Sequence, residues 1–104
     1  MLNQYPLLVA RRFSANLAAV REESGLSQED VAWLAELHRT QIGNLERGGR
    51  VPRIDTLVKL VGTFDLPLEC PLLDGITWRP ARHSPGDFEI SPPTKKGPGV
   101  LPLE

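Results

Sequence analysis

The stretch Gln28–Leu45, QEDVAWLAELHRTQIGNL, followed at once by Glu46-Arg47-Gly48, decides the fold. Apolar or small residues fall at Val31, Ala32, Leu34, Ala35 and Leu37, and again at Ile42 and Leu45. That spacing describes two short helices set back to back, with a break over Glu36–His38. The second helix carries Arg39, Thr40, Gln41 and Asn44 on its remaining faces. Helices this short are not stable alone in water, so neighbouring elements must hold them.

Upstream, residues 7 to 24 read as a helix with Phe13, Leu17, Val20 and Arg21 on one side and Arg12, Asn16, Glu22 and Glu23 elsewhere. Pro6 suits a first helical turn, and Gly25 suits a left-handed stop. Ser27 is placed to cap the next helix, with Glu29 and Asp30 in its first turn, where the helix dipole favours anions. Downstream, Gly48-Gly49 ends the third helix and Pro52 separates it from a fourth, Asp55 to Phe64, with an apolar face of Leu57, Leu60, Val61 and Phe64. A fifth is expected over Leu68–Leu73, reduced to one irregular, 3₁₀-like turn because Pro71 removes a donor and disfavours helical geometry at Cys70.

After Gly75 the composition changes, with Pro80, Pro85, Pro92, Pro93, Pro98 and Pro102 punctuating a tail. Two fragments alternate, Ile76-Thr77-Trp78-Arg79 and Asp87-Phe88-Glu89-Ile90, so that Ile76 and Trp78 share one face, as do Phe88 and Ile90. Two readings stand: a β-hairpin laid on the helical body, which is preferred, or plain disorder. Beyond Ser91 the sequence PPTKKGPGVLPLE reads as flexible. The division is therefore 7–74 for the helical body, 75–91 for the extension and 92–104 for the tail.

The chain of 104 residues, with a net charge of −1, holds one ordinary domain and is no indiscriminate polyanion binder. The charge is segregated, however. From His38 to Arg53 there are four arginines (Arg39, Arg47, Arg50, Arg53) against Glu46 alone, whereas Asp55–Asp74 carries four acids against Lys59. The lone cysteine, Cys70, excludes an intrachain disulfide and reads as a buried structural thiol in a reducing, cytoplasmic setting. No apolar run approaches the ~20 residues of a membrane span, and the arginines of MLNQYPLLVARR follow a short apolar run, the reverse of a signal peptide. Neither a metal site nor a cofactor is expected, and no catalytic set is present: His38 and His83 are the only histidines, and neither has a catalytic neighbour.

A short helix held by another helix, showing Arg, Thr, Gln and Asn outward, is what reading the DNA major groove demands. Gly25-Leu26-Ser27-Gln28-Glu29, then His38-Arg39-Thr40-Gln41-Ile42, then Leu45-Glu46-Arg47-Gly48, resemble the helix-turn-helix domain of the lambda repressor/Cro (XRE) family. The likeness runs from about Phe13 to Leu73. HRTQIGNLERG is also similar to the recognition segment of restriction–modification controller proteins in that family. The resemblance implies an all-α, five-helix, lambda-repressor-like DNA-binding domain, here with a Pro/Gly-rich C-terminal tail. It implies base contacts from Arg39, Thr40, Gln41 and Asn44, and phosphate contacts from Gln28, Arg47, Gly48, Gly49, Arg50 and Arg53. Arg21 and Glu46 match a pair that bonds across helices in repressor relatives.

Three positions depart from the family. Glu36 stands where Gly is preferred, and a positive φ there would cost it about 1 kcal/mol. His38 replaces the usual Ser or Thr cap. Trp33 stands where a solvated polar residue is usual, so it either folds onto the first helix or meets another surface, the tail hairpin or a second subunit. The implied function is a transcriptional regulator reading a palindromic operator on double-stranded DNA as a homodimer, with Leu66, Leu68, Leu72 and Leu73, or the hairpin, as candidate seams. The alternative is an antitoxin-like or adaptor module whose tail, through Val100, Leu101 and Leu103, binds a partner protein.

Overall fold

Ala10, Phe13, Leu17 and Val20 recur every three or four residues, and the helix that presents them, α1 (Tyr5–Glu23), buries all four. The computed structural model describes residues 5–66, 71–80 and 85–92. Leu68, Cys70, His83 and the tail 93–104 lie outside them, and with them the expectations of a buried thiol, a flexible end and a partner-binding tail. α1 starts two residues before the expected Leu7.

α2 (Gln28–Ala35) begins at Ser27, whose side chain accepts from the Asp30 N–H at 3.0 Å while the Asp30 carboxylate accepts from the Ser27 N–H at 2.9 Å. This reciprocal cap satisfies two donors that the first helical turn leaves without partners. The Ser27 N–H, followed by its hydroxyl, holds the Asp30 carboxyl below the usual aspartate range. α3 (Arg39–Glu46) and α4 (Ile54–Phe64) follow. Val31, Ala32, Ile42, Leu45 and Leu60 close the core onto α1, with Leu57, Val61 and Phe64 packed against it.

Three helices stop in the same way. Gly25, Glu36 and Asp65 take φ of 74°, 56° and 55°, the left-handed region. The next residue in each case is a leucine whose N–H reaches back: Leu26 to Arg21, Leu37 to Ala32 and Leu66 to Val61, at 3.2, 2.9 and 3.0 Å. All three leucines pack against the core, so each stop is a Schellman-type cap with its hydrophobic contact.

The five-helix count of the sequence reading is corrected, while the 3₁₀-like turn expected near Pro71 is present. Pro71–Leu73 forms a single 3₁₀ turn, and the described residues hold four α-helices. A proline nitrogen cannot donate to a helical ladder. Beside the helical body the preferred hairpin is present: β1 (Ile76–Arg79) and β2 (Asp87–Ile90) pair antiparallel with Ile76 opposite Ile90 and Trp78 opposite Phe88. The Trp78 and Phe88 rings meet edge to face, with centroids 5.0 Å apart. The hairpin is fastened to α1 through its entry. Arg12 Nε donates to the Asp74 carbonyl at 3.1 Å, and Asn16 Nδ2 donates to the Leu72 carbonyl at 2.7 Å. Leu72 is fully buried beneath this staple. It is core and cannot form a subunit seam.

Candidate nucleic-acid interface

Ile42 and Leu45 sink one side of α3 into the core, and Gly43 between them is buried as well. That leaves Arg39, Thr40 and Gln41 exposed on the opposite side, with Asn44 half-buried one turn later. Trp33, on α2, is 79% exposed. It therefore does not fold onto α1, nor does it meet the hairpin of its own chain.

One carboxylate ties three helices together. Arg21 of α1 donates from Nε to Glu46 Oε2 at 2.6 Å and from Nη2 to Oε1 at 3.1 Å, while its Nη1 donates to the Leu26 carbonyl at 2.9 Å. Gln28, first residue of α2, donates from Nε2 to Glu46 Oε1 at 3.0 Å. The hydrogen bond to Glu46 raises the Arg21 pKa above its ordinary value, outweighing the opposing effect of burial. The end of α3 is thereby fixed against both neighbours. Glu46, the single acid in the basic segment, is spent on Arg21, so it does not offset Arg39, Arg47 or Arg50.

The other site positions are distributed around this clamp. The Gln41 side-chain carbonyl accepts from the His38 N–H at 3.0 Å, so Gln41 caps its own helix while its amide NH₂ stays open. Arg47 Nη2 donates to Asn44 Oδ1, which lays the guanidinium along α3 over Gly43. A Cβ on Gly43 would lie 3.4 Å from Arg47 Nη1. Gly48 has φ of 83°, is buried, and gives its N–H to the Leu45 carbonyl at 3.3 Å, whereas Gly49 is exposed. Arg50 and Arg39 are exposed without partners among the described residues. Arg53 pairs loosely with Asp55 at 3.3 Å, both well exposed.

A helix-turn-helix family model, HTH_3, matches residues 17–69, just over half of the chain. The chain belongs to the helix-turn-helix family. It is a DNA-binding regulator of the lambda repressor/Cro (XRE) type. Among solved helix-turn-helix structures, the restriction-modification controller protein C.AhdI from Aeromonas hydrophila is 33% identical with a TM-score of 0.57, the match covering 61% of this chain and 94% of that one. The wild-type restriction-modification controller protein C.Esp1396I is 28% identical at a TM-score of 0.56, covering 59% of this chain and 79% of that one. An HTH_3 family transcriptional regulator from Vibrio cholerae is 26% identical at 0.57, covering 60% and 35%. No curated protein matches the chain.

Among the described residues, no helix is long and apolar enough to cross a membrane, and no group of three or more His, Cys, Asp or Glu could hold a metal. The fold also brings one residue to this face that sequence reasoning passed over. Arg11 of α1 lies against the end of α3: its Cα and Cγ would each be 3.5 Å from a Cβ on Gly48. Position 11 is remote from the helix-turn-helix motif in the chain, and α1 periodicity says only that it faces away from the core.

Proposed function

We propose that this helix-turn-helix protein reads a palindromic operator in double-stranded DNA as a homodimer, with α3 in the major groove. The observation that supports this most is the two-sidedness of α3. Its inner side is clamped by Ile42, Leu45 and the Arg21–Glu46–Gln28 bonds, and its outer side offers Arg39, Thr40 and Gln41 to solvent. Arg39 would donate twice to guanine O6 and N7, and Thr40 would offer its methyl to thymine or its hydroxyl to a base edge. Gln41 and Asn44 have their carbonyl oxygens occupied in the free chain, so both would reach a base through the amide NH₂.

Gln28, Arg47, Arg50 and Arg53, with the Gly48 and Gly49 amides, would hold the phosphates on either side and set register. Of the two amides, that of exposed Gly49 is the more open. One α3 covers too few base pairs for useful specificity. Two, related by a dyad and about 34 Å apart, read a palindrome. Leu66 and half-exposed Leu73, or the exposed pair Trp78 and Phe88, are the described residues from which a seam would be built.

Selection of bound duplexes from a random library tests the proposal. A palindromic consensus, together with binding that falls with salt at a slope near −7 for about four phosphate contacts per subunit, is expected. No enrichment, or a slope near zero, overturns it.

A further inference from the structure

We propose that Arg11, on α1, is an additional DNA phosphate ligand that extends the basic strip of the α3–α4 loop onto the first helix. This rests on the DNA reading above and adds a contact to it.

Three arginines lie on the described part of α1, Arg11 and Arg12 adjacent and Arg21 nearer its end, and two of them are committed within the fold. Arg12 is spent on Asp74, and Arg21 is spent on Glu46. Arg11 is exposed, and among the described residues its guanidinium has neither a hydrogen bond nor an ion pair. The residues one helical turn away, Leu7, Leu8, Ser14 and Ala15, include no carboxylate, so α1 offers Arg11 no local counter-charge.

Its position gives the lone cation a direction. The Arg11 stem crosses the end of α3 at Gly48, where Ser14 Oγ, 3.2 Å from a notional Gly48 Cβ, packs as well. Glycine at 48 is what allows this approach, and its left-handed φ of 83° turns the chain directly into exposed Gly49 and Arg50. Arg11 therefore sits beside the segment Arg47–Arg53, where Glu46 is taken by Arg21 and Asp55 pairs with Arg53 alone, leaving Arg11, Arg47 and Arg50 without a carboxylate among the described residues. Uncompensated cations gathered on one rim are stabilised by an anion laid across them. A run of backbone phosphates supplies such an anion.

The test measures operator affinity of the full chain as a function of salt for the wild type, Arg11→Ala, Arg11→Lys and Arg12→Ala. With Arg11 the cations on phosphate are Arg11, Arg47, Arg50 and Arg53, which give a dimer slope near −7, and Arg11→Ala reduces it to about −5.4. Between 50 and 200 mM salt the wild type then loses about twelvefold more affinity than Arg11→Ala. Arg11→Lys keeps the wild-type slope, because a point charge suffices for a phosphate. Arg12→Ala lowers thermal stability but leaves the slope unchanged. An Arg11→Ala slope equal to that of the wild type, at equal affinity, overturns the Arg11 assignment alone. A wild type with no selected sequence and no salt slope overturns the DNA reading itself, and Arg11 falls with it.

Discussion

Arg21 on α1 grips Glu46 at the end of α3 with two parallel hydrogen bonds, 2.6 and 3.1 Å long, across 25 residues of chain. The Glu46 side chain is 8% exposed and that of Arg21 14%, so removing either partner strands a charge that water reaches poorly. Glu46→Ala is expected to cost about 3 kcal/mol, which for a domain of this size lowers the melting temperature by roughly 10–20 °C. Replacing both residues by hydrophobes of similar volume, Arg21→Met with Glu46→Leu, should recover much of that loss. Calorimetric melts of the two variants check both statements.

The left-handed stop at Glu36 gives a second expectation. A residue with a Cβ at φ of 56° carries about 1 kcal/mol of strain. Glu36→Gly relieves it and should raise stability by roughly 0.5–1 kcal/mol, the gain reduced by the freer unfolded chain. Gly25→Ala, at φ of 74°, should lose a similar amount although no atom lies within 4 Å of the added Cβ. Urea midpoints that shift in opposite directions at constant m would show that backbone conformation is responsible.

Much of the architecture is legible in the sequence because its signals are local. Phe13, Leu17 and Val20 mark a helix by spacing, Ser27 with Asp30 marks a start, and Ile76-Thr77-Trp78-Arg79 marks a strand by alternation. What escapes is set by residues far apart in the chain. Arg12 looks like any solvated arginine until Asp74, 62 positions later, comes to lie beside it. Leu72 and Leu73 are equivalent as letters, yet one is fully buried and the other faces water. Gln41 reads as a groove-facing amide, and its bond to the His38 N–H emerges once helix α3 has its start. At Asp65 the stop carries no glycine to announce it.

The proposed base and phosphate ligands separate by experiment. Arg39→Ala should cost about 1–3 kcal/mol on the preferred operator, little on unrelated duplexes, and relax selection at one position per half-site. Arg50→Ala should weaken binding evenly across sequences and reduce the magnitude of the dimer salt slope by about 1.8. Parallel library selections and salt titrations of the two variants distinguish the roles.

Glycines at two sites should respond oppositely to the same change. Gly62 lies inside α4 with open space where a Cβ would go, so Gly62→Ala should stabilise by up to about 1 kcal/mol. Gly75 joins the 3₁₀ turn to β1 at φ of 81°, and a Cβ there would stand 2.7 Å from both Arg12 Cζ and the Ser91 carbonyl oxygen. Gly75→Ala should cost about 2 kcal/mol or more, combining backbone strain with overpacking. It should also disturb the Trp78 near-ultraviolet dichroism, because the hairpin hangs from this point.

The leucines that follow Gly25, Glu36 and Asp65 turn each of those reversals into a wall of the interior. A connection built in this way has no slack. One inserted residue would pull its leucine out of the core and rotate the next helix about its own axis, carrying Arg39 and Thr40 with it. Length variation in this protein is therefore expected to collect in the stretch Gly49–Pro52, between α3 and α4, where the chain crosses open surface. Such variants would alter how the molecule rests on a phosphate backbone while keeping α3 aimed as before.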